Sequence, residues 1–176
     1  MTYDLKPVTL AHPVRATRLN HVSISASDLA VSTRFYENVL GMERIPTPTF
    51  ETPVQWLRVG SLQLHLFERP GAPPTYHHVA FSVDDFDAVY SRAAELGIHD
   101  RTTFGHHLYE LPGDNAQMYV RDPSGNLIEV DWPDARTLSP ETRAEMRRLS
   151  DRDPQDEENL RATLFLPPAV GADRPL

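Results

Sequence analysis

The chain has 176 residues, 40% apolar and 24% charged, which suits one soluble globular domain with a real core. A formal net charge of -8 leaves no basic field to hold nucleic acid or an anionic membrane surface. The absence of cysteine excludes disulfides, thiolate nucleophiles, Cys-ligated zinc and iron–sulfur clusters; no apolar run approaches membrane length, so a cytoplasmic protein is expected.

In chain order, residues 1–17 read as an extension without a sustained period. The pattern then predicts a strand over 19–26, a helix over 29–40 and strands near 42–46, 55–59 and 62–68. After a Pro-rich link at 70–74 come a strand over 77–83, a helix over 86–96 and strands near 100–109, 117–121 and 127–132. Asp28 and either Asp84 or Asp85 stand where N-caps belong; Gly41 and Gly97 stand where helices stop. From Pro133 the composition shifts to Pro, Asp, Glu and Arg. Within it Ser139-Pro140-Glu141 is a helix start, predicting a helix near 140–149, with 163–166 as a docking strand. The division expected is an extension at 1–17, one domain at 18–133 made of modules at about 18–70 and 75–133, and a tail at 134–176.

The order βαβββ occurs twice, and so do its letters. His21, Val22, Ser25 and Asp28 match His78, Val79, Ser82 and Asp85 without a gap, and Leu40-Gly41 matches Leu96-Gly97 after a one-residue slip. Internal duplication explains this better than chance. The fold class expected is α+β: two βαβββ modules forming an open, cup-shaped mixed sheet, with a helical or irregular C-terminal extension.

Side chains alternate across a strand, so parity assigns faces. Val22, Ile24, Val79, Phe81, Leu64 and Val130 turn one way, toward the helices that must cover them. His21, His65, His78 and Glu129 turn the other way, each from a first or last strand of a module. A lone strand histidine is usually a hydrogen-bonded structural residue. Four such residues at equivalent places in a duplicated unit instead form a metal-ligand set of three imidazoles and a carboxylate. The N/O donors suit Fe(II), Mn(II), Ni(II), Co(II) or Zn(II).

The stretches "NHVSISASDLAVSTRFYENVLGM", "HHVAFSV" and "MYVRDPSGNLIEV" resemble the vicinal-oxygen-chelate superfamily, which includes glyoxalase I, extradiol ring-cleavage dioxygenases, methylmalonyl-CoA epimerase and fosfomycin-resistance proteins. The resemblance implies paired modules cupped around a divalent metal, with His21, His78 and Glu129 at the ligand positions. His65 stands where glyoxalase-like members have Glu or Gln and where dioxygenases have no ligand. Two His and one carboxylate suit Fe(II), the first expectation for the metal. Tyr119 has the spacing to Glu129 of the active-site Tyr in extradiol dioxygenases, and Gly105-His106-His107 resembles their acid/base element. An isomerase would need a base, for which Glu110, His107 and Glu129 are the candidates. A thiol transferase acting on a phosphonate would need cations, for which Arg58, Arg101 and Arg121 are available. The first expectation is therefore an extradiol-type dioxygenase on a small catechol-like substrate, assembled as a homodimer, with His107, Tyr119 and Glu110 as candidate catalytic residues. The alternatives are a glyoxalase-type isomerase, lyase or epimerase, and a non-catalytic protein that sequesters a small molecule.

Overall fold

The computed structural model of the protein describes residues 19–165. The expected extension at 1–17 and the chain from 166 onward lie outside the described residues. The first module runs β1 (His21–Ala26), α1 (Leu29–Leu40), β2 (Glu43–Ile45), β3 (Val54–Val59) and β4 (Leu62–Glu68). The second runs β5 (His78–Ser82), α2 (Phe86–Leu96), β6 (Leu108–Leu111), β7 (Asn115–Arg121) and β8 (Leu127–Trp132). In the tail, α3 (Pro140–Ala144), β9 (Arg147–Arg148) and α4 (Leu149–Arg152) follow. No helix among the described residues is long and apolar enough to cross a membrane.

Both helices begin and end on matching residues. Asp28 and Asp85 accept from the backbone N–H groups of Val31 and Ala88, which settles the second N-cap as Asp85. Gly41 and Gly97 close the helices in the left-handed region, at φ 62 and φ 65, where a side chain would be strained.

The strands form two mixed sheets, ordered β1-β4-β3-β2 and β5-β8-β7-β6-β9. In each module the first strand pairs parallel with the last. The apolar faces meet in one core: Leu57, Leu64 and Leu66 from the first sheet and Met118, Ile128 and Val130 from the second pack with Phe35 and Tyr36 of α1 and Phe86 and Val89 of α2. Burying such a side chain contributes about 1.5–3 kcal/mol, so this shared core is the main term holding the modules together.

The Asp122-Pro-Ser-Gly-Asn126 turn adds a polar staple. Asp122 accepts from the amides of Ser124 and Asn126 through Oδ1, and from the buried Tyr36 hydroxyl at 2.9 Å through Oδ2. Asn126 Nδ2 donates to the Ser25 carbonyl at 2.8 Å. The turn that delivers the chain into β8 therefore also joins the second module to the first.

Two expectations change. The strand near 100–109 is a loop that becomes β6 only at Leu108. Asp100 explains this: its carboxylate accepts from the amides of Thr102 and Thr103, offering the backbone a turn instead of a ladder. The helix near 140–149 is split, because residues Arg147–Arg148 pair parallel with β6 as a fifth strand. Ser139 does cap α3, accepting from Thr142 N, and Thr142 Oγ1 donates to Asp87 of α2. Thr163 and Leu164 reach Asn115, but no strand forms through Phe165; Leu166 lies outside the described residues.

Candidate metal centre

Register turns parity into position. Ser23 pairs with His65 as Ala80 pairs with Glu129, so His65 and Glu129 occupy the same place in the duplicated unit, each two residues beyond the level of its module's first histidine. All four candidate ligands lie on the sheet faces turned away from the helices, as expected.

In the second module the arrangement is ready for a cation. His78 Nδ1 lies 3.0 Å from the Tyr76 carbonyl, which can only accept, so Nδ1 carries a proton and the ring orientation is fixed. That Nε2 stands 3.3 Å from Glu129 Oε2. The alignment is not that of a hydrogen bond, and Oε2 is buried without a partner. A cation beside Nε2 would give that buried oxygen the partner it lacks. Tyr119 is directly across from Glu129 in the sheet, and its hydroxyl donates to Gln117 Oε1 at 2.7 Å. Burial first, and then the Glu129 charge, raise the Tyr119 phenol, so it stays protonated. Asp131, two residues along the same face, is buried with Oδ1 unpartnered. Burial and the adjacent Glu129 push its carboxyl up to about 8.

The first module carries a different device. His21 Nδ1 donates to Asn20 Oδ1 at 2.9 Å, which leaves Nε2 free. Its ring stacks on His65 (4.3 Å between centroids, 14° between planes), and His65 stacks in turn on Trp56 (4.2 Å, 5°). Donor lone pairs lie in the ring planes, so two nearly parallel rings this far apart do not aim at one ion. His65 Nε2 is also held 2.9 Å from Gln63 Oε1. Burial and the neighbouring His21 push the His65 imidazole below its ordinary range.

Within one chain the two pairs stay apart. Among the described residues, no three His, Asp or Glu side chains are gathered closely enough to hold a metal ion. Asn126, which precedes β8, donates to Ser25, four residues beyond His21 in β1.

The remaining expectations divide. Tyr119 is beside the second pair. His107 is not: its ring lies 4.3 Å from His99, 4.6 Å from His106 and 6.0 Å from Tyr90 of α2. Both its nitrogens are buried without partners, and burial, with the neighbouring His99 and Arg101, pushes it down to about 3. Glu110 sits on the helix-facing side of β6 by register and lies 3.5 Å from Arg148 Nε. The three candidate arginines are each neutralised, Arg58 by Glu43 at 3.8 Å, Arg101 by Glu145 at 3.7 Å and Arg121 by Asp100 at 2.6 Å.

Comparisons with known proteins identify the family of this fold. The family described as the Glyoxalase/Bleomycin resistance protein/Dioxygenase superfamily matches residues 18–130. "Glyoxylase I 4" of Arabidopsis thaliana is 28% identical over 130 residues, covering 68% of this chain and 72% of that protein. "Metallothiol transferase FosB" of Lysinibacillus sphaericus is 30% identical over 117 residues, covering 63% and 79%. The solved structure of "Oxidase ChaP-H2" aligns with a TM-score of 0.54 at 27% identity, covering 65% of this chain and 91% of that one.

Proposed function

Because the chain belongs to the Glyoxalase/Bleomycin resistance protein/Dioxygenase superfamily, we propose that it is an oxygen-dependent, divalent-metal enzyme acting on a planar, catechol-like substrate through two adjacent oxygens. His78 and Glu129 of one copy hold the metal together with His21 of a second copy in a homodimer, and Fe(II) is the first candidate. The observation that carries this reading is His78 Nε2 standing 3.3 Å from a buried, unpartnered Glu129 oxygen. When bound, the ion supplies Lewis acidity toward both substrate oxygens and, as Fe(II), redox capacity toward dioxygen.

The chain's own residues do the rest. Tyr76 holds the His78 tautomer through its carbonyl. Tyr119, kept protonated by burial, presents a hydroxyl already oriented by Gln117 for hydrogen bonding to a substrate oxygen. A homodimer is favoured because the four ligand candidates fall into two separated pairs in one chain. A phosphonate-directed transferase has little support, since Arg58, Arg101 and Arg121 each already face a carboxylate.

The deciding experiment is anaerobic loading with Fe(II), followed by a catechol panel with dissolved oxygen. Oxygen uptake with at least one catechol is expected, and none across the panel would reject the oxygen-dependent reaction. Proton-transfer chemistry is the second reading, favoured by Asp131, whose Oδ1 is buried without a partner beside Glu129. It predicts solvent deuterium exchange at a carbon next to a substrate carbonyl without oxygen.

A further inference from the structure

Phe104 is the most heavily supported residue near His78, and nothing in the proposed reaction uses it. The loop before it is held by one buried carboxylate. Asp100 Oδ1 accepts from Thr102 N at 2.7 Å, Thr102 Oγ1 at 2.8 Å and Thr103 N at 3.0 Å; Oδ2 accepts from Thr103 Oγ1 and from Arg121 Nε, both at 2.6 Å. The Phe104 carbonyl is clamped as well, accepting from the Tyr109 hydroxyl at 2.8 Å and from Arg152 Nη1 at 2.7 Å. Arg152 lies over the Tyr109 ring and is paired with Asp153, so it acts as a clamp rather than a free cation. It belongs to the tail, beyond residue 130 where the family match ends.

The ring that this scaffold holds faces the candidate metal centre. It lies 4.6 Å from Tyr119, 6.2 Å from Tyr76 and 6.4 Å from His78, edge-on to the imidazole. It is half-buried, so part of its surface stays open beside the exposed His78 edge. A planar apolar surface whose backbone is fixed on both sides has lost its conformational freedom before any ligand arrives, which makes it a preorganised contact.

We propose that Phe104 is a specificity-determining residue: its ring is the platform for the planar ring of a vicinal-dioxygen substrate, and Arg152 of the tail is its positioning residue. This rests on the metal-enzyme reading above and adds to it the residue that selects an aromatic over an aliphatic substrate. Aromatic contact at 4.5–7 Å favours offset or edge-on rings, and its loss costs roughly tenfold in affinity.

The test uses the full chain loaded with Zn(II), which is redox-silent, and two probes sharing one chelating head, benzohydroxamate and acetohydroxamate, measured by titration calorimetry. The wild-type protein is expected to prefer benzohydroxamate by roughly tenfold. Phe104→Leu should abolish that preference by losing benzohydroxamate affinity alone, and Phe104→Tyr should keep it. Arg152→Gln should weaken benzohydroxamate severalfold while leaving metal and acetohydroxamate affinities unchanged. A Phe104→Leu protein that keeps the preference, or one that loses both probes alike, overturns the proposal, as does metal-dependent binding without ring preference in the wild type. Failure of the wild type to bind either probe in a metal-dependent way would instead overturn the metal reading and this proposal with it.

Discussion

The two modules put equivalent strand positions to different uses. In the second, a histidine with a fixed tautomer faces an orphaned carboxylate oxygen at 3.3 Å. In the first, the residue at the carboxylate's place is His65, packed between His21 and Trp56 with its Nε2 committed to Gln63. Duplication copied the scaffold but not the donor set. In the centre proposed above, the second module supplies the carboxylate and the first an imidazole nitrogen, and neither pair alone would hold a divalent ion against water.

Substitutions at matched positions sharpen this contrast. His78→Ala should remove stoichiometric metal, a loss of at least about a hundredfold in affinity by metal analysis after dialysis, because a direct ligand outweighs the 10–100-fold cost of losing only an outer partner. His65→Ala at the matched position of the first module should change metal affinity less than about tenfold. An equal loss in both would show that the imidazole stack opens to make His65 a full ligand.

Acid should separate the modules too. His107, behind the second sheet, is pushed down to about 3 in the folded chain, against an ordinary value near 6.5 unfolded. Between those values the unfolded chain binds more protons, so stability is fully present above about 6.5 and falls as the pH drops toward 3, by at most about 1.4 kcal/mol per pH unit. Denaturant titrations from pH 7 to 4 should therefore show a shallower slope in His107→Phe. His65 is lowered in the same direction with much of its ring surface against other rings, and His65→Phe should flatten the slope less.

The joint between the modules carries a smaller expected effect. Tyr36→Phe removes one of two donors to Asp122 Oδ2, the other being Asn126 Nδ2, at a cost of about 1 kcal/mol for the lost hydrogen bond. A melting temperature unchanged within error would mean that the staple is redundant with the apolar core.

Much of this was readable in the letters. The paired caps Asp28 and Asp85, the stops Gly41 and Gly97, and the faces of His21, His65, His78 and Glu129 all follow from local periodicity, and the structure has them there. The strand expected from residue 100 starts only at Leu108 because Asp100 captures the amides of Thr102 and Thr103, a side-chain preference that an apolar pattern does not register. The joint between the modules was illegible for another reason. It includes Tyr36–Asp122 and Ser25–Asn126, contacts 86 and 101 residues apart that no local signal announces.

The central claim is that a second copy completes the metal centre, and mixing two inactive variants tests it most directly. His21→Ala and His78→Ala proteins, each metal-free alone, are co-refolded and the mixed dimer is isolated by differential tags. If His21 of one copy works with His78 and Glu129 of the other, the mixed dimer regains one intact centre and binds one metal ion per dimer. If the centre lies within a single chain, every chain in the mixture is broken, and a mixed dimer without metal would contradict the account.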